Sequence, residues 1–227
     1  MSALTSEAVY EHLLKKITSG EYPPGMRVVE QNLADEMEVA PLAIHDAIRR
    51  LTEEDLVEQI TGQGAFVREL KARDIIKLYT FREQLEVFAV SEAADNIQAH
   101  QQRNLEAHCE AQEKLAEALA QSDTAQPDKK LIHEWHTQDM AFHRAIVEAT
   151  DNEWIQHAVE RTRLLAHASR CKPRDQMPED PALTVEEHRE ITAAIGSGDA
   201  FLGGDIMSRH IRRSMDSLLR RLNSNGA

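Results

Sequence analysis

A chain of 227 residues that is 41% hydrophobic has enough apolar surface to bury a core, which excludes a disordered segment and leaves room for two ordinary domains or one large one. No apolar run approaches the ~20 residues of a bilayer span, and residues 1–10 hold no basic stretch followed by an apolar one, so no secretory signal is visible. A net charge of −13 gives solubility but does not mark an obvious polyanion binder. Aromatics are scarce at 4%, so the core is mostly Leu, Ile, Val, Ala and Met, as helical bundles prefer. Cys109 and Cys171 are far apart and form no CxxC, which fits a reduced cytoplasm.

Residues 5–18 predict an amphipathic helix, with Val9, Leu13, Leu14 and Ile17 at helical spacing. Ser19-Gly20 closes it, and Tyr22-Pro23-Pro24-Gly25 reads as a turn. A short helix over 30–37 turns Leu33, Ala34 and Met37 inward. Pro41 suits the first turn of a third helix that runs to about Leu51, with Ile44, Ala47, Ile48 and Leu51 on one face. Alternation begins between Asp55 and Ile60, Thr61-Gly62-Gln63-Gly64 reads as a hairpin turn, and Ala65-Phe66-Val67 as the returning strand. Three helices and a hairpin make a winged helix-turn-helix, whose third helix enters the DNA major groove while the wing meets the backbone.

From 72 to 223 the pattern is helical throughout, with helices expected over 72–96, 101–121, 129–149, 152–171, 184–196 and 200–222. Polar, proline-containing segments fall at 122–128 and 172–181. The fold class is therefore mainly α: a winged helix-turn-helix over 1–70, then an all-helical bundle over 71–227.

Asp139 and His143 lie four residues apart, one helical turn above each other, the spacing at which a helix offers two ligands to one metal ion. His188 and His210 lie about equally far before and after a turn at Gly196-Ser197-Gly198-Asp199. If the two helices fold back antiparallel, both imidazoles reach the same height, ~16 Å from the turn at about 1.5 Å per residue. Facing helices commonly build metal sites in a bundle interior, so these four residues form the candidate set. Three imidazoles and a carboxylate suit zinc, and also nickel or manganese. Arg82 reads either as a clamp for a carboxylate ligand or as an i,i+4 partner of Glu86. His136, one turn before Asp139, faces either the same pocket or solvent. Arg161 and Arg163 read as surface residues. Gly203-Gly204 either admits a close neighbour within the last helix or marks a helix that starts near Asp205.

The stretch Val9…Leu13…Ile17…Gly20…Pro24-Gly25…Glu30…Leu33-Ala34…Val39…Ala47-Ile48-Arg49-Arg50-Leu51…Leu56-Val57…Gly64…Phe66-Val67 resembles the DNA-binding domain of GntR-superfamily regulators, most closely the FadR-type branch. The second half resembles the FCD ligand-binding domain of that branch. Arg82-x-x-Leu85-Glu86, Asp139-x-x-x-His143, Glu187-His188-Arg189 with Ile191 and Ile195, and Met207-x-x-His210-Ile211 carry the likeness. The resemblance implies a homodimer on double-stranded operator DNA and a divalent metal on Asp139, His143, His188 and His210. It also implies a small organic acid as effector, with Arg82 and His136 as candidate contacts.

The sequence departs from that pattern where DNA would be read. Ala40-Pro41 and Ile44-His45-Asp46 stand where the branch usually has a Ser/Thr-Arg pair and a Val-Arg-Glu or Leu-Arg-Glu segment, and Gln31 takes a position often basic. Gln31, His45, Arg49 and Arg50 remain on the helices, with Gly62, Gln63 and Gly64 in the wing. Residues 1–70 hold six Lys+Arg against thirteen Asp+Glu, a net of −7, whereas phosphate neutralisation supplies most non-specific affinity for DNA. Two other functions compete: a metal-dependent hydrolase, which purified protein would reveal by turnover, and an interaction module with a degenerate winged helix, which would bind no DNA.

Overall fold

The computed structural model describes residues 5–122, 128–169 and 180–224. Two compact units are present: residues 1–71 together with Leu164–Asp175, and residues 72–163 together with 176–227. Cys171 and most of the expected 172–181 loop lie outside the described residues.

In the first unit, α1 (Ser6–Thr18) opens where the Thr5 hydroxyl accepts from the Ala8 amide, which satisfies one donor of the first turn. β1 (Arg27–Val28) precedes α2 (Glu30–Met37), and α2 stops at Glu38, which adopts a left-handed conformation with φ 52°. Pro41 starts α3 (Pro41–Glu53) at a position whose missing amide costs nothing. β2 (Val57–Ile60) and β3 (Gly64–Val67) form the wing. The sheet order is β1-β3-β2, all antiparallel, with Arg27 opposite Phe66 and Ile60 opposite Gly64. Sequence pattern missed β1, because two residues cannot show an alternation. Val9, Leu13, Ile17, Leu33, Ile44, Ile48, Leu51 and Leu56, all at most 1% exposed, fill the core.

The second unit is a helical bundle of α4 (Ala72–Asn96), α5 (Ala99–Gln121), α6 (Lys129–Glu148), the larger part of α7 (Glu153–Ala168), α8 (Pro181–Gly196) and α9 (Ala200–Ser224). α4 packs on α6, α8 and α9, and α5 on α6 and α8. Asp180 caps α8 by accepting from the Leu183 amide at 3.0 Å, so the helix begins three residues before the expected 184. Gly198, at φ 73°, makes the turn into α9.

Of the two readings of Gly203-Gly204, close approach is the one observed. A Cβ on Gly203 would lie 2.7 Å from Val90 Cγ1 and 3.3 Å from Ala194 Cβ, so the missing side chain lets α9 sit against α4 and α8. Gly203→Val should therefore destabilise the protein by about 2 kcal/mol, because overpacking outweighs the gain in helix propensity. A urea titration reads the shift, and an unchanged midpoint would show that Val90 yields freely.

A candidate metal centre in the helical unit

Asp139 and His143 come from α6, His188 from α8 and His210 from α9. One ligand atom from each lies within 4.8 Å of all the others. The imidazoles are shut away from water, at 1%, 0% and 5% exposure respectively, while Asp139 is partly buried. Phe142 stacks on the His188 ring at 3.9 Å between centroids and fixes its plane.

Each histidine is also held from behind. His188 Nδ1 donates to Gln112 Oε1 at 2.7 Å, and His210 Nδ1 donates to Glu187 Oε2 at 2.7 Å. His143 Nδ1 lies 2.5 Å from Glu86 Oε2. With the protons of His188 and His210 placed on Nδ1 by these acceptors, their Nε2 lone pairs turn toward one another. His188 Nε2 and His210 Nε2 stand 3.4 Å apart, His188 Nε2 is 3.9 Å from Asp139 Oδ1, and buried His143 Nε2 has no hydrogen-bond partner. Lone pairs facing each other away from water are unfavourable unless a cation sits between them. Outer acceptors that orient imidazoles in this way are the usual support of a metal site.

The electrostatics agree. Burial pushes the His143 imidazole down to about 4, with the Arg163 guanidinium adding to the effect and Glu86 opposing it. Burial and the neighbouring imidazoles hold His188 well below its ordinary range. Both are therefore neutral at pH ~7, the form that binds a metal. Burial by itself would raise the Asp139 carboxyl, but Arg163 and the three histidines hold it well below the usual carboxylate range. Glu187 likewise falls to about 2, since bonds from His210 and Arg213 outweigh its burial.

Three imidazoles and one carboxylate oxygen fit zinc, nickel or manganese. The residues of this centre would hold such an ion through three nitrogens and Asp139 Oδ1.

In the metal-free protein the unfolded chain protonates His143 near its ordinary 6.5, whereas the folded chain does so only near 4. The unfolded state thus binds the extra proton between those values, so stability falls as pH is lowered through that window. His143 alone accounts for roughly 3 kcal/mol, at about 1.4 kcal/mol per pKa unit. Urea midpoints of chelator-treated protein should drop between pH ~7 and ~4.5. A flat profile would contradict the assignment.

The arginines are placed otherwise than the sequence suggested. Arg163 is not a surface residue: it is 7% exposed, and it reaches Asp139 Oδ2 at 2.7 Å and Glu86 Oε2 at 3.2 Å. Arg161 and Arg163 stand two residues apart on the same helix, and nothing in their spacing told the buried one from the exposed one. Arg82 makes the i,i+4 pair, with Nε and Nη2 at 2.9 and 2.8 Å from Glu86 Oε1, but in the interior at 4% exposure rather than on the surface. Arg161 is exposed, and His136 is half-buried on α6.

In the winged-helix unit, His45 is exposed on α3, and Arg49 is exposed but pairs with Glu53 at 2.6 Å. Gln31 bonds Asp35 at 2.9 Å. Arg50 is drawn back onto its own domain, over the Tyr10 ring at 3.6 Å and against Glu7 at 2.6 Å and Glu54 at 3.3 Å. Lys16 and Arg68 also face acids, Glu21 with Glu36 and Asp55 respectively. Gly62 and Gly64 take φ 76° and 103° in the wing, with Gln63 exposed between them. Sequence reading passed over Arg27, which is exposed with its guanidinium beside Gly64. Only the pairing of β1 with β3 brings it to the wing.

A winged helix-turn-helix followed by a helical bundle is the architecture of a DNA-binding regulator. The family assignment agrees: residues 5–67 match the bacterial regulatory proteins of the gntR family, and residues 77–213 match the FCD domain. The chain belongs to the GntR-type transcription regulators that carry an FCD domain, and is a regulator rather than an enzyme. It is 26% identical over 208 residues to a probable D-xylose utilization operon transcriptional repressor of Paenarthrobacter nicotinovorans, covering 89% of this chain and 84% of that protein. It is 25% identical over 222 residues to the HTH-type transcriptional regulator LutR of Bacillus subtilis, covering 89% of this chain and 95% of LutR. The fold is similar to that of E. coli McbR/YncC, with a TM-score of 0.76 at 18% identity over 96% of this chain and 98% of the other. No described helix is long and apolar enough to cross a membrane.

Proposed function

We propose that this regulator is a cytoplasmic homodimer whose helical unit holds a divalent metal on Asp139, His143, His188 and His210, takes a small organic acid there, and thereby changes the affinity of its winged helices for operator DNA. The observation that carries the reading is that one ligand atom from each of these four residues lies within 4.8 Å of all the others, with the Nδ1 of His188 and of His210 turned to an outer acceptor. Arg163 holds Asp139 Oδ2, leaving Oδ1 for the centre. An ion that accepts six donors keeps positions for a carboxylate of the effector, and Arg82 and His136 are the candidate contacts for the rest of that molecule. A switch of this kind needs a coupling of only ~1–3 kcal/mol.

The winged helix makes its base contacts with few arginines. Gln31, His45, Arg49 and the wing residues Gly62, Gln63 and Gly64 are assigned to DNA; Arg50 contributes through its structural contacts with α1. Because the domain is acidic, its affinity rests less on phosphate neutralisation than is usual. Selection of genomic fragments by the purified protein, at low and at roughly physiological salt, tests this. Enrichment of one short palindrome that survives the higher salt is the expected result, since two-fold symmetry of the protein is mirrored in its site. No enrichment at either salt, from folded protein, would overturn it.

A further inference from the structure

Helix α7 runs unbroken from Glu153 to Ala168, yet its residues up to Arg163 belong to the helical unit and those from Leu164 onward to the winged-helix unit. Within the helical unit, Arg163 grips the centre: Nη2 meets Asp139 Oδ2 at 2.7 Å and the Asp139 carbonyl at 3.3 Å, and Nη1 meets Glu86 Oε2 at 3.2 Å. Its Nε is buried without a partner. Within the winged-helix unit, Leu164 and Leu165 pack against the core that holds Leu13 and Ile17, and Ala168 is buried in that core. His167 Nε2 lies 3.2 Å from the carbonyl of Thr18, the last residue of α1. Neighbouring residues of one helix therefore serve two interiors.

We infer that Arg163 is a positioning residue that couples the His3Asp centre to the winged helix-turn-helix through α7. The inference rests on the metal-site reading of the proposed function. A cation at the centre shares the Asp139 carboxylate and repels the guanidinium, so Arg163 loosens from Asp139 and is held more by Glu86. Arg163 is one residue from Leu164. A hydrogen-bonded helix passes such a displacement along its axis as a shift of the whole element, and small helix shifts are a common means of switching. The winged-helix end of α7 has little slack, because Leu164, Leu165 and Ala168 sit in a packed core and His167 is tied to α1.

Amide hydrogen exchange of the full chain, chelator-treated and then zinc-loaded, with zinc content measured on the same samples, tests the coupling. Zinc should change exchange in the segment 14–22, around Thr18, as well as near Asp139, by at least about fivefold in the opening equilibrium. Arg163→Lys should keep the change near Asp139 and lose it at 14–22. His167→Ala, which leaves the centre untouched, should reduce the change at 14–22 while zinc binds as before. Bound zinc with no change at 14–22 would overturn the coupling and leave the metal site standing. An undiminished response in Arg163→Lys would overturn the role of Arg163. Failure to take up zinc would overturn the metal site, and the coupling with it.

Discussion

Protein with both His143→Ala and His210→Ala should carry no bound metal. The change removes one ligand from α6 and one from α9 and leaves only Asp139 and His188. Two donors cannot fix a first-row ion against water and cellular competitors, since stable protein sites use three or four. Elemental analysis of protein from zinc-supplemented culture should give ~1 ion per chain for the unaltered protein and background for the variant. His133→Ala, which removes an exposed histidine of the same helix, supplies the control and should keep its metal. Undiminished metal in the double variant would sink the centre. Circular dichroism guards against a trivial loss through unfolding, because the surrounding helices keep their apolar contacts.

Glu86→Ala should cost about 3–5 kcal/mol of stability, the range found when one partner of a buried ion pair is removed. Glu86 is 1% exposed and faces Arg82, Arg163 and His143 at once. Burial acts to raise its carboxyl, but the two guanidiniums and the imidazole hold it well below the ordinary range. Removing it leaves two arginines in the interior with far less compensating charge, and burying an unpaired charge is among the largest single-residue penalties. Glu148→Ala is the comparison. Its pair with Arg144 is exposed on both sides, so it should move the urea midpoint by less than about 1 kcal/mol. If Glu86→Ala also costs under about 1 kcal/mol, the buried network is not a structural element of the bundle.

The two sites were legible in the sequence to different depths. Asp139 and His143 declare themselves by a four-residue spacing, and His188 and His210 by symmetric distances from a glycine turn. Helical geometry converts both patterns directly into position. The residues behind them do not repeat at any local period. Gln112 and Glu86 approach from α5 and α4, so their relation to His188 and His143 is a product of packing between elements distant in the chain. Arg163 was misjudged because arginine is ordinarily a surface residue. Its burial depends on two carboxylates, one on α4 and one on α6, arriving at the same point. Helix starts were read well at α1 and at α3, the latter announced by Pro41. Where Asp180 capped a helix inside an apparent proline loop, the start was missed by three residues. On the winged helix, the shortage of arginines was visible from composition. The withdrawal of Arg50 onto Tyr10 and Glu7 was not, since it joins residues forty or more positions apart.

The most direct test of the regulator is the affinity of the full chain for its selected operator, measured by fluorescence anisotropy at fixed salt with zinc-loaded and with chelator-treated protein. A His3Asp centre that governs DNA binding predicts at least about a fivefold difference between the two forms, and none in the His143→Ala, His210→Ala variant. Equal operator affinity with and without zinc, in protein whose zinc content has been measured, would contradict it.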